Sequence, residues 1–316
     1  MSSGSVLIKK LLPYLKLLVP LVVAFFVGRV IHANWQQVRE AEWSASPLDL
    51  TLAFLCCSAW FWVRPYGWML ILGSFGRGVP YPAVYRVFRK AEMSRMVPGA
   101  IWQFVSRVFL LKRWGVTAGA CLAATVIDML LTALASLVPA AWTLRGAVAE
   151  FKLYHRIALA CFPLASLLFV HPRMLNAWAG FLAHRLGQAW TPIKIGWGKL
   201  TGIWGLYVVG WVLMAAGTAY FAAGVLPAAG SQKAYIGSSY VVAWLIGTLT
   251  MIAPGGMGIR EGALGLLLSR VMPAGPAFTL AVGIRFWLLL IELIWYGAAY
   301  LLPPAEPPDE DEPPRA

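Results

Sequence analysis

Charge is scarce in this chain: of 316 residues only 12% are Asp, Glu, Lys or Arg, against about 25% in ordinary soluble domains. Acidic residues are the scarcest part, with 13 Asp and Glu set against 26 Lys and Arg. Such a poverty of charge excludes a soluble globular domain. Cysteine is almost absent as chemistry, because Cys56, Cys57, Cys121 and Cys161 all sit inside apolar runs, where a free thiol behaves as a small hydrophobe. No metal-ligand spacing and no disulfide framework can be assembled from them. The four histidines, His32, His155, His171 and His184, fall at span ends or in loops. No HExxH pair and no Ser or Cys nucleophile stands in a catalytic setting. Nor is Pro254-Gly255-Gly256 a phosphate loop, since no strand precedes it and no Lys-Ser/Thr follows. The expected catalytic set, metal and cofactor are therefore none.

What the chain has is apolar length. It is 60% hydrophobic with 16 Trp and 15 Phe, and its mean hydropathy is +0.70. About 20 apolar residues cross a bilayer, so a span with its loop takes roughly 35 to 45 residues, and the length admits seven or eight. Runs at 17–31, 48–72, 117–142, 157–170, 201–225, 236–253 and 277–302 are the candidate spans, with a shorter apolar helix at 260–272. No alternating barrel pattern is visible, so the backbone must satisfy itself as helices. The expected fold is an all-α polytopic transmembrane bundle. Lys9, Lys10 and Lys16 before the first run resemble a signal peptide, but Val30-Ile31-His32-Ala33-Asn34-Trp35 follows where small cleavage-site residues would be needed. The first run therefore reads as an uncleaved span.

The net charge of +13 would point to nucleic acid in a soluble protein. In a membrane protein it marks cytoplasmic loops, and no nucleic-acid partner is expected. One set of connecting segments carries 15 Lys and Arg and the other 5, which places the N-terminus in the cytoplasm. Residues 303–316 are Pro-rich and hold Glu306, Asp309, Glu310, Asp311 and Glu312, the composition of a disordered acidic tail. The expected organisation is one transmembrane domain over 1–302 followed by that tail.

Two interruptions break the apolar pattern. The first reads Met96-Val97-Pro98-Gly99-Ala100-Ile101-Trp102 and continues to Arg107; the second reads Ala253-Pro254-Gly255-Gly256-Met257-Gly258-Ile259-Arg260-Glu261-Gly262-Ala263. Pro ends a helix and Gly permits the turn, so each is a break followed by a new helix start near an Arg. Broken helices at membrane depth are tolerated where they are buried in protein or line a cavity. Paired Gly/Pro-interrupted segments in two halves of a chain mark transporter binding sites. The plainer reading is a pair of surface turns beside interfacial helices.

The second string resembles the signature of the lysylphosphatidylglycerol synthase transmembrane (flippase-like domain) family, and Val97-Pro98-Gly99-Ala100-Ile101-Trp102 with Arg107, Gly115 and Val116 is similar to that family's other marked segment. The resemblance implies an integral inner-membrane protein that translocates aminoacylated phosphatidylglycerol or handles another lipid-linked substrate. Bifunctional members carry a large cytoplasmic aminoacyl-transfer domain after the membrane part, whereas this sequence ends at Ala316. The expectation is transport rather than synthesis, with a separate lipid synthase or envelope-biogenesis factor as the partner.

Ionisable groups inside spans cost roughly 2.5 to 3.5 kcal/mol each on insertion scales. Asp128 lies in the third run, Arg285 and Glu292 lie seven residues apart in the last, and Arg64 precedes Pro65 in the second. Their plain readings are snorkelling for Arg64 and a structural ion pair for Asp128, Arg285 and Glu292. In the functional reading, Arg260, Glu261, Pro254, Gly255 and Gly256 join Arg107, Pro98, Gly99 and Trp102 around an anionic headgroup, because helix starts offer N–H groups and positive potential to phosphate. Asp128, Arg285, Glu292 and Arg64 then balance or couple charge. Arg86, Arg89, Lys90 and Arg95 read as an interfacial patch for acidic lipid. The leading function is a flippase for an anionic or aminoacylated phospholipid or a lipid-linked precursor. Its rivals are an enzyme or accessory factor of polyprenyl-phosphate-linked glycosylation and a scaffold subunit of a lipid-modifying complex.

Overall fold

The computed structural model describes residues 21–76, 78–94, 102–147, 169–185, 195–250 and 256–302. Pro98, Gly99, Pro254, Gly255, nearly all of the expected span 157–170 and the acidic tail lie outside the described residues. Among the described residues there is no strand. The helices are α1 (Leu21–Ala33), α2 (Trp35–Glu40), α3 (Pro47–Leu72), α4 (Tyr81–Ser94), α5 (Trp102–Lys112), α6 (Ala118–Ala147), α7 (Pro172–Arg185), α8 (Trp197–Val225), α9 (Lys233–Leu249), α10 (Ile259–Leu268) and α11 (Ala274–Leu301).

Three stretches are long and apolar enough to cross a membrane: Ala118–Thr143, Trp197–Val225 and Ala274–Leu301. Helix α3 is long enough at 26 residues but is not among them. Its apolar run is interrupted by Asp49 and Arg64. The 17 residues of α9 fall just short of the usual span of about 20. Helix boundaries follow local chemistry. Ser46 accepts the backbone N–H of Asp49 at 3.4 Å with Pro47 as the first helical residue of α3, an N-cap followed by a residue whose missing N–H is no loss there. Thr117 does the same for Ala120 at 3.2 Å at the start of α6. Surface positions of α11 include Phe286, Leu290 and Leu293, an i, i+4, i+7 stripe suited to a hydrocarbon solvent.

The chain forms two compact units. The first comprises Met1–Cys57, Arg95–Trp102 and Leu213–Ile291. In it Ser44 and Ser46 donate backbone N–H groups to Val225 and Gly224 at 3.0 Å, Phe221 stacks on Trp287 at 5.1 Å, and Gly275 donates to Gln37 at 3.1 Å. Backbones approach closely where side chains vanish: a Cβ at Gly237 would collide with the Ala215 carbonyl, and one at Gly217 would lie 2.8 Å from the Cys57 backbone nitrogen. Small residues at such crossings give membrane helices their packing energy. Gly237→Val is expected to lower stability by about 1–3 kcal/mol through overpacking, read as a fall in the unfolding midpoint in detergent, whereas Gly205→Val, with open space around it, should leave that midpoint in place.

The second unit comprises Ser58–Ser94, Gln103–Val212 and Glu292–Ala316. Aromatics dominate its core. Trp60 packs on Trp211 at 4.4 Å, Trp211 donates its indole N–H to the Thr132 carbonyl at 2.9 Å, and Trp62 stacks on Tyr85 at 4.7 Å. Trp295 closes on Trp62 at 5.0 Å and donates to the Ser58 hydroxyl at 2.8 Å. Helix α4 buries Tyr85, Phe88, Arg89 and Glu92, one face at i, i+3, i+4, i+7.

Candidate functional site

Among the described residues, each unit holds a cluster of ionisable side chains. In the second unit, α3, α4, α5, α6 and α8 supply one residue each: Arg64, Glu92, Arg107, Asp128 and Tyr207. Arg64 lies 3.3 Å from Asp128 Oδ2 and 3.6 Å from Glu92 Oε2. Arg107 lies 3.2 Å from Glu92 Oε1 and 3.8 Å from Asp128 Oδ2. Each guanidinium thus touches both carboxylates, and the four charges close into a ring. Tyr207 donates its hydroxyl to Asp128 Oδ1 at 2.5 Å. Exposure is 0% for Asp128, 1% for Arg107 and 4% for Glu92, so water contributes little.

The walls of this ring are aromatic. The Arg107 guanidinium carbon sits 4.2 Å from the Phe88 centroid and 4.6 Å from that of Trp68, and Arg64 lies 5.2 Å from Phe88. Desolvated cation–π contacts of this kind are worth about 2 kcal/mol. Arg89, also buried, stands over Phe61, Tyr85 and Phe88 at 5.0 to 5.6 Å, with Glu92 and Glu292 among the anions acting on it. Two positive and two negative charges make the ring neutral, which suits a locking device better than a receptor for an anion.

The second group lies in the first unit, at the start of α10. Gly256 and Gly258 take the left-handed φ values of +70° and +83°, conformations open to glycine at little cost. Glu261 accepts the Gly258 N–H at 2.6 Å through Oε2 and pairs with Arg285 Nε at 3.3 Å through Oε1. Its first contact is the carboxylate half of a capping box. Arg260 donates to the Thr248 hydroxyl at 3.3 Å and lies 5.8 Å from the Trp244 ring centre. A Cβ at Gly247 or Gly256 would run into the Arg260 side chain, so both glycines are needed for its bed. Arg260, Glu261 and Arg285 line a void of about 10 Å³ together with Tyr240, Ala243, Leu264, Ala281 and Ile284. That volume sits at the threshold for one water, while the lining carries two guanidiniums against one carboxylate.

Several expectations change. Arg64 does not snorkel: it is bonded to Asp128 and its side chain is 13% exposed. Arg107, expected on a phosphate, meets Glu92 and Asp128 instead. Asp128 is paired as anticipated for a buried acid, but with Arg64 and Arg107, and Arg285 is paired with Glu261. Glu292 is buried. Arg285 and Glu292 stand seven residues apart on α11, and the carboxylate that Arg285 pairs with is that of Glu261. Two of the fifteen charges assigned to one set of loops, Arg89 and Arg107, are interior. Trp102 opens α5 with its side chain 45% exposed. Glu92 and Tyr207 were not anticipated at all. The signal for Glu92 was its place on the apolar face of α4, three residues after Arg89.

Among the described residues no group of three His, Cys, Asp or Glu is placed to hold a metal, and Cys56, Cys57 and Cys121 are free thiols. Residues 14–295 match the family model for the lysylphosphatidylglycerol synthase TM region. No curated protein matches the chain.

Proposed function

The chain belongs to the lysylphosphatidylglycerol synthase TM-region family, which points to membrane lipid work, and from that premise we propose that it is a flippase. It carries an anionic or aminoacylated phospholipid, or a lipid-linked precursor, across the cytoplasmic membrane, with seven or eight spans and a cytoplasmic N-terminus. The observation that carries this reading is the pair of arginines, Arg260 and Arg285, against the single carboxylate of Glu261 at the start of α10. A helix start adds about half a positive charge in its N–H groups, so an anion entering there replaces a positive potential with a paired one.

The void in this conformation holds no headgroup. Transport therefore requires a second conformation in which the group opens, as alternating access demands. Glu261 is the internal counter-ion for Arg285 while the site is closed, and a substrate phosphate takes over that role when it opens. The neutral Arg64–Glu92–Arg107–Asp128 ring fixes the helices of its own unit rather than meeting substrate.

Reconstitution in liposomes tests this. The wild-type chain is expected to speed the movement of labelled phosphatidylglycerol or its aminoacylated form between leaflets, and Arg260→Ala to slow it at least tenfold with unfolding unchanged. Absence of any acceleration by the wild type, for every anionic and aminoacylated lipid tried, refutes the reading.

A further inference from the structure

The end of α11 and one side of α4, both within the second unit, enclose a cleft of about 280 Å³ lined by Arg86, Lys90, Tyr296, Ala299, Tyr300 and Leu302. Arg86 and Lys90 are four residues apart and so share a side of α4, turned away from the buried face of Tyr85, Phe88, Arg89 and Glu92. Arg86 donates Nε–H to the Ala299 carbonyl at 2.9 Å. That carbonyl is among the last four of α11, which have no partner within a helix. The bond fixes the guanidinium and leaves the four N–H groups on its terminal nitrogens for a ligand. Lys90 Nζ lies 5.2 Å from the Tyr300 ring centre, and the Tyr296 and Tyr300 hydroxyls share a hydrogen bond of 2.9 Å. Among the described residues no carboxylate forms an ion pair with Arg86 or Lys90.

The sign of the site follows by comparison. A helix C-terminus contributes about half a negative charge, and two full cations outweigh it. Tyrosines at the end of an apolar span mark the level of the lipid headgroups, and Leu301 beside them is 86% exposed, as suits contact with hydrocarbon. We propose that this cleft is a binding site for the phosphodiester of an anionic phospholipid. Arg86 and Lys90 take the phosphate oxygens, the two phenols take the glycerol or headgroup oxygens, and Ala299 and Leu302 meet the apolar part. The site rests on the chain's residence in a membrane and is built from residues other than those of the Arg260 group. A soluble phosphate shares the charge but lacks the apolar part.

The test is competitive retention of lipid by the full-length protein in detergent, read by native mass spectrometry with equal phosphatidylglycerol and phosphatidylcholine. Wild type is expected to keep phosphatidylglycerol preferentially. Lys90→Gln, a change at an exposed side chain, lowers that preference about fivefold and Arg86→Gln/Lys90→Gln about 25-fold, at the usual contribution of a basic residue near a lipid surface. Arg260→Ala keeps the preference, so failure here and failure of the transport reading are told apart. An unchanged preference in Lys90→Gln overturns the site, as does displacement of the lipid by inorganic phosphate at equal concentration. Preference that emerges only after deletion of residues 303–316 assigns the cleft to the chain's own acidic segment and overturns it too.

Discussion

Arg107→Ala is expected to destabilise the protein by about 3–5 kcal/mol, because it strands two buried carboxylates with a single cation between them. Arg107 is the corner that touches both Glu92 and Asp128 while stacked between Phe88 and Trp68. Its removal leaves Arg64 as the one cation of the ring, and Arg64 holds Glu92 only at 3.6 Å. Truncation also opens space between two aromatic faces. The loss should appear as a large drop in the midpoint of thermal unfolding in nanodiscs, followed by tryptophan fluorescence. Removing charge in balanced pairs separates electrostatics from packing. Arg107→Met/Glu92→Met keeps volume and leaves the Arg64–Asp128 pair of 3.3 Å intact, so it should recover most of the stability. A single Arg107→Ala variant that melts within a degree or two of wild type contradicts the closed ring.

A second large effect is expected at a residue with no side chain. A Cβ on Gly67 would lie 2.6 Å from both the Cζ and the hydroxyl oxygen of Tyr207, far inside contact distance. Gly67→Ala must therefore push the ring aside, and the Tyr207 hydroxyl then leaves Asp128. Overpacking costs about 1–3 kcal/mol, and a lost hydrogen bond to a charged group about 1.5–3 kcal/mol. The sum, about 2.5–6 kcal/mol, is comparable with the loss of Arg107. A double-mutant cycle checks the mechanism. Tyr207→Ala removes both the clash and the hydrogen bond, so Gly67→Ala added to it should cost almost nothing. Full additivity of the two changes would place the Gly67 effect somewhere other than Tyr207.

The sequence made the elements legible and the pairings only partly so. Apolar length located α3, α6, α8, α9 and α11 within a few residues, since lipid demands uninterrupted hydrophobic helices. The helix starts at Trp102 and Ile259 lie just after the expected breaks, whose Pro98, Gly99, Pro254 and Gly255 fall outside the described residues. Asp128 and Arg64 stood out because a charge inside an apolar run is conspicuous. Glu92 did not, and Arg107 stood out only as a cation near a helix start, because both sit in segments whose many basic residues resemble a cytoplasmic loop. Counting charges treats a helix as a string, whereas burial depends on which side of the helix each charge occupies. On α4 that side separates Arg89 and Glu92 from Arg86 and Lys90. Tyr207 was hidden for another reason: a tyrosine in an apolar span is unremarkable until its hydroxyl finds a carboxylate. Arg285 and Glu292 were rightly placed on one helix face, but a shared face over two turns is not proximity.

The ring of four charges also constrains how the chain is made. Arg64 is synthesised 28 residues before Glu92 and 64 before Asp128, and Tyr207 comes 79 residues after Asp128. When α3 is first made, neither carboxylate of the ring exists yet, and an arginine placed alone at the centre of a span costs roughly 2.5 to 3.5 kcal/mol. Early helices that reach lipid only after Asp128 has been made avoid that cost. Committing them one at a time to lipid would strand each charge in turn. A ribosome stalled between residues 72 and 118 should hold a nascent chain whose α3 is still accessible to water-soluble reagents, while one stalled well beyond residue 207 should not. Biogenesis of this protein is in that sense a collective event, set by where its opposite charges fall along the message.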